Sequence, residues 1–240
     1  MTIKIVQENN LKIYPTKQTI DKKLGLPEPF DDRNQIFVVT GAMGSGKSTW
    51  LHSALTCLKH DGRIFAGCYE RVIYATPEEC FSSEKDHPMK HHVKSRLFHE
   101  FNVKMLNAVV EQAEQNKMEH DGNTILVIDD FSEDLKNIET IKLLKKLIYK
   151  HRHMHLTIVI SCLTMKSIPK TIRALVDVYI IFKPKSLIEI EDYVTEIFAL
   201  KNSAMERLLD FVFDAPYHFM MYNARHHTFY KNFAKLSQPT

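Results

Sequence analysis

One glycine-rich segment limits the possible folds of this chain more than any other feature. Residues 41–48 have the sequence G-A-M-G-S-G-K-S and follow the apolar run Ile36–Thr40. The segment matches the pattern G-x-x-x-x-G-K-[ST] between a predicted strand and a predicted helix. Glycines let main-chain amides approach and surround a phosphate, and the helix that follows adds the positive end of its dipole. The segment therefore predicts a P-loop, with a helix that begins near Lys47.

Side chains at the end of the loop suit ATP and Mg²⁺. Lys47 supplies a positive charge to the β- and γ-phosphates, the Ser48 hydroxyl is placed to ligate Mg²⁺, and Thr49 lies beside the α-phosphate. We assign ATP binding to Gly41, Ala42, Met43, Gly44, Ser45, Gly46, Lys47, Ser48 and Thr49.

A second motif follows at residues 125–130, I-L-V-I-D-D, where an apolar strand ends in two carboxylates. Ligands of open parallel sheets gather at the carboxyl ends of the strands, so this motif is interpreted as a Walker B strand. Asp129 is the predicted Mg²⁺ ligand, acting through water. Asp130 is the predicted catalytic group that takes a proton from the attacking water or orients it. The alternative for Asp130 is a loop or helix-capping residue.

The distribution of apolar runs predicts the fold class. From Ile36 onward they read as buried strands at 36–40, 72–76, 124–128, 156–161 and 176–182, separated by segments of helical length. Helices are predicted at 47–59, 95–116, 135–151, 169–175 and 187–200. The chain is therefore predicted to be an α/β P-loop NTPase of the ASCE/RecA-like type, with a mainly parallel central sheet flanked by helices.

Length and composition fit a single core, since the chain has 240 residues of which 44% are hydrophobic. We divide it into an N-terminal appendage, residues 1–34, and a P-loop ATPase domain, residues 35–240, with an aromatic-rich C-terminal extension. The extension is predicted to hold a helix and strands near 218–222 and 227–230. Its aromatic side chains are expected to pack in the core or in a lid rather than to stack on nucleic-acid bases.

Neither a membrane span of about 18 apolar residues nor a signal peptide is visible, so we expect an intracellular protein. The four cysteines show no C-x-x-C spacing and are expected to be reduced. A net charge of +3 is too small to indicate nucleic-acid binding by itself.

Two clusters of side chains, one of lysines and one of histidines with a cysteine, each allow two interpretations. Lys142, Lys145, Lys146 and Lys150 recur on one face of a predicted helix, and this stripe is either a solvated surface or a contact for DNA phosphates. Cys80, His87, His91, His92 and His99 lie in one stretch, but their spacing fits no standard zinc site, and a polar loop is favoured.

Beyond the two Walker motifs, several weaker features occur in a distinctive order. They are Arg152-His153 before the fourth strand, the strand Leu156–Ser161, Ile168-Pro169, Ile172-Arg173, Tyr179–Phe182 and the segment Phe229–Phe233. Together, over about Gln35 to Leu236, the chain resembles the virion DNA-packaging ATPases of large eukaryotic DNA viruses and virophages, a branch of the FtsK/HerA superfamily.

The resemblance implies an ATP-hydrolysing motor that moves double-stranded viral DNA, independently of its sequence, into a capsid. It implies a homo-oligomeric ring, hexameric or pentameric, with capsid or inner-membrane virion proteins as further partners. Such a protein acts in the host cytoplasm at the viral assembly site, or in the virion. Arg152 is the first candidate for an arginine finger that reaches a neighbouring subunit, and Arg173 is the second.

Two positions depart from the family pattern. These motors commonly carry Glu after the metal-binding Asp and Gln at the end of the fourth strand, whereas this chain has Asp130 and Leu163. Ser161 and Thr164 are candidate substitutes for the missing amide. Two other functions stay open: a nucleotide or nucleoside kinase, and a regulatory or assembly NTPase that translocates nothing.

Overall fold

The computed structural model describes residues 22–59, 62–198 and 202–237, which build one central sheet of nine strands. The strands are β1 (Ile36–Thr40), β2 (Arg71–Ala75), β3 (Leu97–Phe98), β4 (Thr124–Asp129), β5 (Leu156–Cys162), β6 (Val178–Phe182), β7 (Phe219–Asn223), β8 (Thr228–Lys231) and β9 (Ala234–Lys235).

The strand order across the sheet is β3-β2-β4-β5-β1-β6-β7-β8-β9. The six strands from β3 to β6 run parallel, and β7, β8 and β9 continue the sheet as antiparallel neighbours. This arrangement confirms the predicted α/β class with a mainly parallel sheet. Strand β5 lies between the P-loop strand β1 and the Walker B strand β4, so all three carboxyl ends meet at one edge of the sheet.

Helices cover both faces of the sheet. They are α1 (Lys47–Thr56), α2 (Glu78–Ser83), α3 (Val103–His120), α4 (Ile138–Lys150), α5 (Lys170–Arg173), α6 (Leu187–Tyr193), which continues into a π-helical turn at Val194–Phe198, and α7 (Asn202–Val212). Side chains of α1 join a core cluster on one face, and those of α3, α4 and α7 join the larger cluster on the other face. None of the described helices has the length and apolarity of a membrane span.

Two helices begin later in the chain than predicted, and an asparagine caps the start of each. Helix α3 begins at Val103 rather than near residue 95, because Asn102 accepts a hydrogen bond from the Met105 amide and the residues before it form β3. Helix α4 begins at Ile138 because Asn137 caps it in the same way. The short helix α2 was not predicted.

Residues 22–34, the described part of the predicted appendage, pack against the domain. Leu24, Leu26 and Phe30 are buried in the same cluster as α1. The Asp32 carboxylate accepts hydrogen bonds from the amides of Leu24, at 2.8 Å, and of Leu26, at 3.2 Å, which orders this segment. Residues 1–21 lie outside the described residues.

Most aromatic side chains of the C-terminal extension are buried, as predicted. Phe213, Phe219, Tyr222, Phe229 and Tyr230 contribute to the two core clusters, and the two predicted strands of this segment are β7 and β8. Three others differ: Phe211 is 57% exposed, Tyr217 is 72% exposed and Phe233 is 41% exposed.

Candidate active site

The P-loop connects β1 to α1, and its backbone leaves little room for side chains. A Cβ atom on Gly41 would lie 2.6 Å from the Cβ of Phe182 on β6. Gly46 has φ of 108°, in the left-handed region, and stands before α1 without a side-chain cap. The uncapped amides at the start of α1 therefore remain available to an anion.

Lys47 folds back over the loop. Its Nζ donates to the carbonyl oxygen of Gly41 at 2.6 Å and to that of Ala42 at 3.2 Å. Burial lowers the pKa of Lys47, while the nearby carboxylates of Asp130 and Asp129 oppose that shift. The ammonium is thus held between the phosphate-binding amides and the Walker B carboxylates.

Asp129, at the end of β4, is a buried carboxylate with an identified partner. Its Oδ2 accepts a hydrogen bond from the hydroxyl of the fully buried Tyr74 at 2.8 Å. The Tyr74 oxygen lies 3.3 Å from Nε2 of His52, which is on α1. Since the Tyr74 proton is directed to Asp129, His52 Nε2 donates to Tyr74, and this chain fixes the position of Asp129.

Asp130 follows β4 with φ of 62°, in the left-handed region that Asp and Asn tolerate better than Glu does. This backbone conformation gives a physical reason for the shorter acid at this position. Burial raises the pKa of Asp130, Asp129 raises it further, and Lys47 opposes the shift. A carboxylate with a raised pKa is better suited to accept a proton from water.

A cavity of about 130 Å³ separates the P-loop from the ends of β2, β4 and β5, and we call it the catalytic cavity. It is lined by Met43, Gly44, Lys47, Ser48, Thr76, Cys80, Glu84, His87, Asp129, Asp130 and Leu163. The structure therefore brings together Lys47, Ser48, Asp129 and Asp130. The hydroxyl of Ser48 and the free oxygen of Asp129 are hard oxygen donors facing one cavity, and such a donor set fits Mg²⁺.

The end of β5 and the loop after it contain Leu163, which departs from the family pattern, and the two candidate substitutes for the missing amide, Ser161 and Thr164. Leu163 is on the cavity wall and is 37% exposed. Ser161 pairs with Asp129 across the ladder, and its buried hydroxyl has no hydrogen-bond partner among the described residues. The Thr164 hydroxyl lies 3.3 Å from that of Ser167. Of the two candidate substitutes for a sensor amide, Ser161 is the one beside Asp129, the predicted metal ligand.

The candidate arginine fingers lie away from the chain's own P-loop. Arg152 is in the 3-10 helix His151–Met154 directly before β5, at the amino-terminal edge of the sheet, whereas the P-loop follows the carboxyl end of β1. Arg173 ends α5, where its guanidinium lies 2.8 Å from the Glu196 carboxylate and its side chain is only 9% exposed.

The histidine-rich stretch does not converge into the grouping weighed from the sequence. His92 and His99 contact the main-chain carbonyls of Val72 and Thr76. Among the described residues, the group able to surround a metal ion is His52, Glu84 and His87. However, Nδ1 of His87 accepts the Met89 amide at 3.1 Å, so the neutral ring carries its proton on Nε2 and offers no lone pair there.

Four residues of the site were missed by sequence reasoning: Thr76 and Glu84, which line the catalytic cavity, and Tyr74 and His52, which support Asp129. Tyr74 and Thr76 are on and just after β2, a strand with no recognised motif, and Glu84 follows the unpredicted helix α2. The sequence contained one local indication of these residues, the i, i+4 spacing of Ser48 and His52, which places both side chains on one face of α1.

A basic groove lies on the surface beside α4. It has a volume of about 490 Å³ and is lined by Leu135, Lys136, Ile138, Ile141, Lys142, Lys145, Lys166, Ser167, Pro169 and Thr171. The predicted stripe on α4 thus supplies Lys142 and Lys145, and the loop after β5 adds Lys166.

Comparison with known proteins gives a family match and several similar structures. The family model described as Poxvirus A32 protein matches residues 30–212. No curated protein matches the chain. The genome packaging NTPase B204 of Sulfolobus turreted icosahedral virus 2, in complex with ATP-gammaS, is 18% identical with a TM-score of 0.60, covering 85% of this chain and 98% of that chain.

Two other solved structures share the fold. B204, the DNA-packaging ATPase of Sulfolobus turreted icosahedral virus, is 15% identical with a TM-score of 0.63, covering 83% of this chain and 97% of that chain. ATPases 2 and 3 of EccC from Thermomonospora curvata are 14% identical with a TM-score of 0.53, covering 85% of this chain and 37% of that chain.

Proposed function

The chain belongs to the Poxvirus A32 protein family, and from this membership we propose that it is a viral genome-packaging NTPase. It hydrolyses ATP to move double-stranded DNA into a capsid. The observation that carries the proposal is the catalytic cavity, where Lys47 and Ser48 of the P-loop face Asp129 and Asp130 of the Walker B strand. The packaging NTPases named above, which share this fold along nearly their whole length, support the same function.

The chemistry follows from the positions of these side chains. The loop amides and Lys47 bind the phosphates of ATP, and Lys47 leaves its carbonyl partners when the phosphates enter. Ser48 and Asp129 would hold Mg²⁺, which would supply positive charge against the β- and γ-phosphates. Asp130 orients a water molecule and accepts its proton while the water oxygen bonds to the γ-phosphorus. The bond to the bridging oxygen breaks, and ADP and phosphate leave.

The position of Arg152 supports a ring of subunits. Arg152 is at the amino-terminal edge of the sheet, and the P-loop of the same subunit is at the opposite, carboxyl-terminal edge. The arginine that stabilises the charge developing on the γ-phosphate therefore has to come from a neighbouring subunit. In a closed hexamer or pentamer every site receives such a residue, and hydrolysis in one subunit is coupled to the next. Arg173 remains the second candidate, and its guanidinium is paired with the Glu196 carboxylate at 2.8 Å.

The basic groove is the proposed contact for DNA. Lys142 is exposed and Lys145 is half-buried. Lys166 lines the groove from a second segment of the chain, where its ammonium lies 3.0 Å from the Asp192 carboxylate. Lysine contacts with phosphates carry no base information, which suits a motor whose track has any sequence. The protein acts at the viral assembly site or in the virion, where capsid or inner-membrane proteins anchor the ring.

The test measures ATP hydrolysis with and without long duplex DNA while light scattering follows the size of the oligomer. Stimulation by DNA in a species of ring size is the expected result. Phosphoryl transfer to a nucleoside with no effect of DNA would identify a kinase. ATP binding with neither DNA stimulation nor transfer would identify a regulatory or assembly NTPase.

A further inference from the structure

We propose that a second cavity beside the P-loop binds the nucleobase of the nucleotide, with the ring of Tyr217 as its stacking platform. The proposal rests on the proposed function, because it assigns a binding site to the base of the same ATP molecule whose phosphates bind to the P-loop. The cavity has a volume of about 500 Å³ and lies among Gly44, Ser45, Lys183 and residues 213–218. We call it the base cavity.

The two cavities flank one loop. Gly44 lines both of them, with the Walker B carboxylates on one side and the turn between α7 and β7 on the other. A nucleoside triphosphate whose γ-phosphate lies near Asp130 extends across the loop amides, so its nucleoside leaves the loop on the side away from that carboxylate. The base cavity is on that side.

Tyr217 has the geometry of a binding residue rather than a core residue. It is 72% exposed, although five other aromatic residues of the extension are buried. Its φ is 63°, a left-handed conformation that is rare for a bulky residue and that persists where the surroundings enforce it. The ring lies beside the start of α1, since its Cδ1 is 3.4 Å from where a Cβ on Gly46 would be.

The lining of the base cavity suits a flat aromatic ligand. Phe213, Ala215 and Pro216 supply apolar surface. Asp214 and His218 are already paired, because the Asp214 carboxylate accepts from His218 Nδ1 at 2.7 Å and from Lys231 Nζ at 2.5 Å. Lys183, exposed on the same wall, remains to contact the ribose or the α-phosphate. Recognition of the base is therefore by stacking on the exposed ring.

The experiment compares two ligands, ATP and inorganic tripolyphosphate, by calorimetry with the full chain. Both occupy the P-loop, but only ATP carries a base. Tyr217→Ala is expected to weaken ATP binding by about 5- to 150-fold, the range measured when a stacking aromatic is removed, and to leave tripolyphosphate binding unchanged. Tyr217→Phe should retain the affinity for ATP.

Two further variants make the result decisive. Tyr217→Gly removes the ring while relieving the left-handed backbone, so it should give the same selective loss in a chain that folds at least as well. Phe211→Ala removes an exposed aromatic side chain outside the base cavity and should leave the affinity for both ligands unchanged. Equal losses for both ligands, or no loss for ATP, would overturn the proposal. A wild-type chain that binds neither ligand would instead contradict the proposed function.

Discussion

The hydroxyl of Tyr74 donates a hydrogen bond to Oδ2 of Asp129 at 2.8 Å inside the core. This contact links the neighbouring strands β2 and β4 and leaves the other carboxylate oxygen for a metal ion. Since His52 on α1 completes the chain, the Walker B carboxylate is tied to the helix that follows the P-loop.

Replacing Tyr74 by Phe tests this support. We expect Tyr74→Phe to raise the Mg²⁺ concentration that gives half-maximal hydrolysis by about 10- to 100-fold, because the outer-shell partner orients the carboxylate. A magnesium titration of ATPase activity measures it. Tyr69→Phe is the matched control, since this buried tyrosine donates to Thr157 at 3.0 Å, away from the site. An equal change in both variants would contradict a positioning role.

Asp130 is predicted to act in hydrolysis and not in binding. Asp130→Asn removes the charge while keeping a residue that tolerates φ of 62°, so it should bind ATP normally and hydrolyse it about 10²- to 10⁴-fold more slowly. Lys47→Ala, in contrast, should abolish nucleotide binding. Binding calorimetry and single-turnover hydrolysis separate the two effects. If Asp130→Asn retained full turnover, Asp130 would be a loop residue.

Arg152 is predicted to act on a neighbouring subunit. Arg152→Ala should spare ATP binding and lower turnover by about 10³- to 10⁵-fold, because the cation stabilises charge that develops only during transfer. Mixing wild-type and variant subunits at varied ratios provides the measurement. A finger that acts in trans gives activity that is not proportional to wild-type content, and strict proportionality would rule it out. Arg173→Ala is the comparison and should mainly lower the melting temperature, since Glu196 loses a partner.

The basic groove is predicted to bind DNA through its phosphates. The double variant Lys142→Ala with Lys145→Ala should lose DNA stimulation and keep basal hydrolysis. The slope of log affinity against log salt should become shallower by about 2, since each lysine contact contributes about 0.9. Lys94→Ala with Lys104→Ala, which removes two exposed lysines outside the groove, is the control. Unchanged binding by the groove variant would mean that the stripe on α4 is a solvated surface.

Acid is predicted to destabilise the fold through His151. Burial lowers the pKa of His151 below its ordinary value of 6.5, although its hydrogen bond to the Ile148 carbonyl opposes the shift. Below that value the unfolded chain binds the proton more readily than the folded chain, so stability is lost as the pH falls. The loss is at most about 1.4 kcal/mol per pH unit for each such histidine.

Urea unfolding of the wild type and of His151→Gln, at about pH 7.5 and about pH 5.5, checks this expectation. The variant should show a smaller difference between the two conditions. An identical pH dependence in both proteins would show that His151 titrates alike in the folded and unfolded states.

Local sequence was sufficient where one segment alone sets the structure. The glycines at 41 and 46, the apolar run before them and the two aspartates after an apolar strand predicted the P-loop, the Walker B strand and the parallel sheet, and the fold and family are confirmed. The helix starts at Val103 and Ile138 were missed because each depends on one capping side chain, Asn102 or Asn137, and on the contacts of the preceding loop.

Contacts between distant segments were decided only by the tertiary structure. Tyr74 reaches Asp129 because β2 pairs with β4, and Tyr217 stands beside Gly46 because β7 extends the sheet next to β6. The sequence by itself determined the phosphate loop and the pair of carboxylates, since their chemistry resides in contiguous residues. What surrounds them depends on strand order and register, which arise when the whole core packs, and no local pattern encodes either of them.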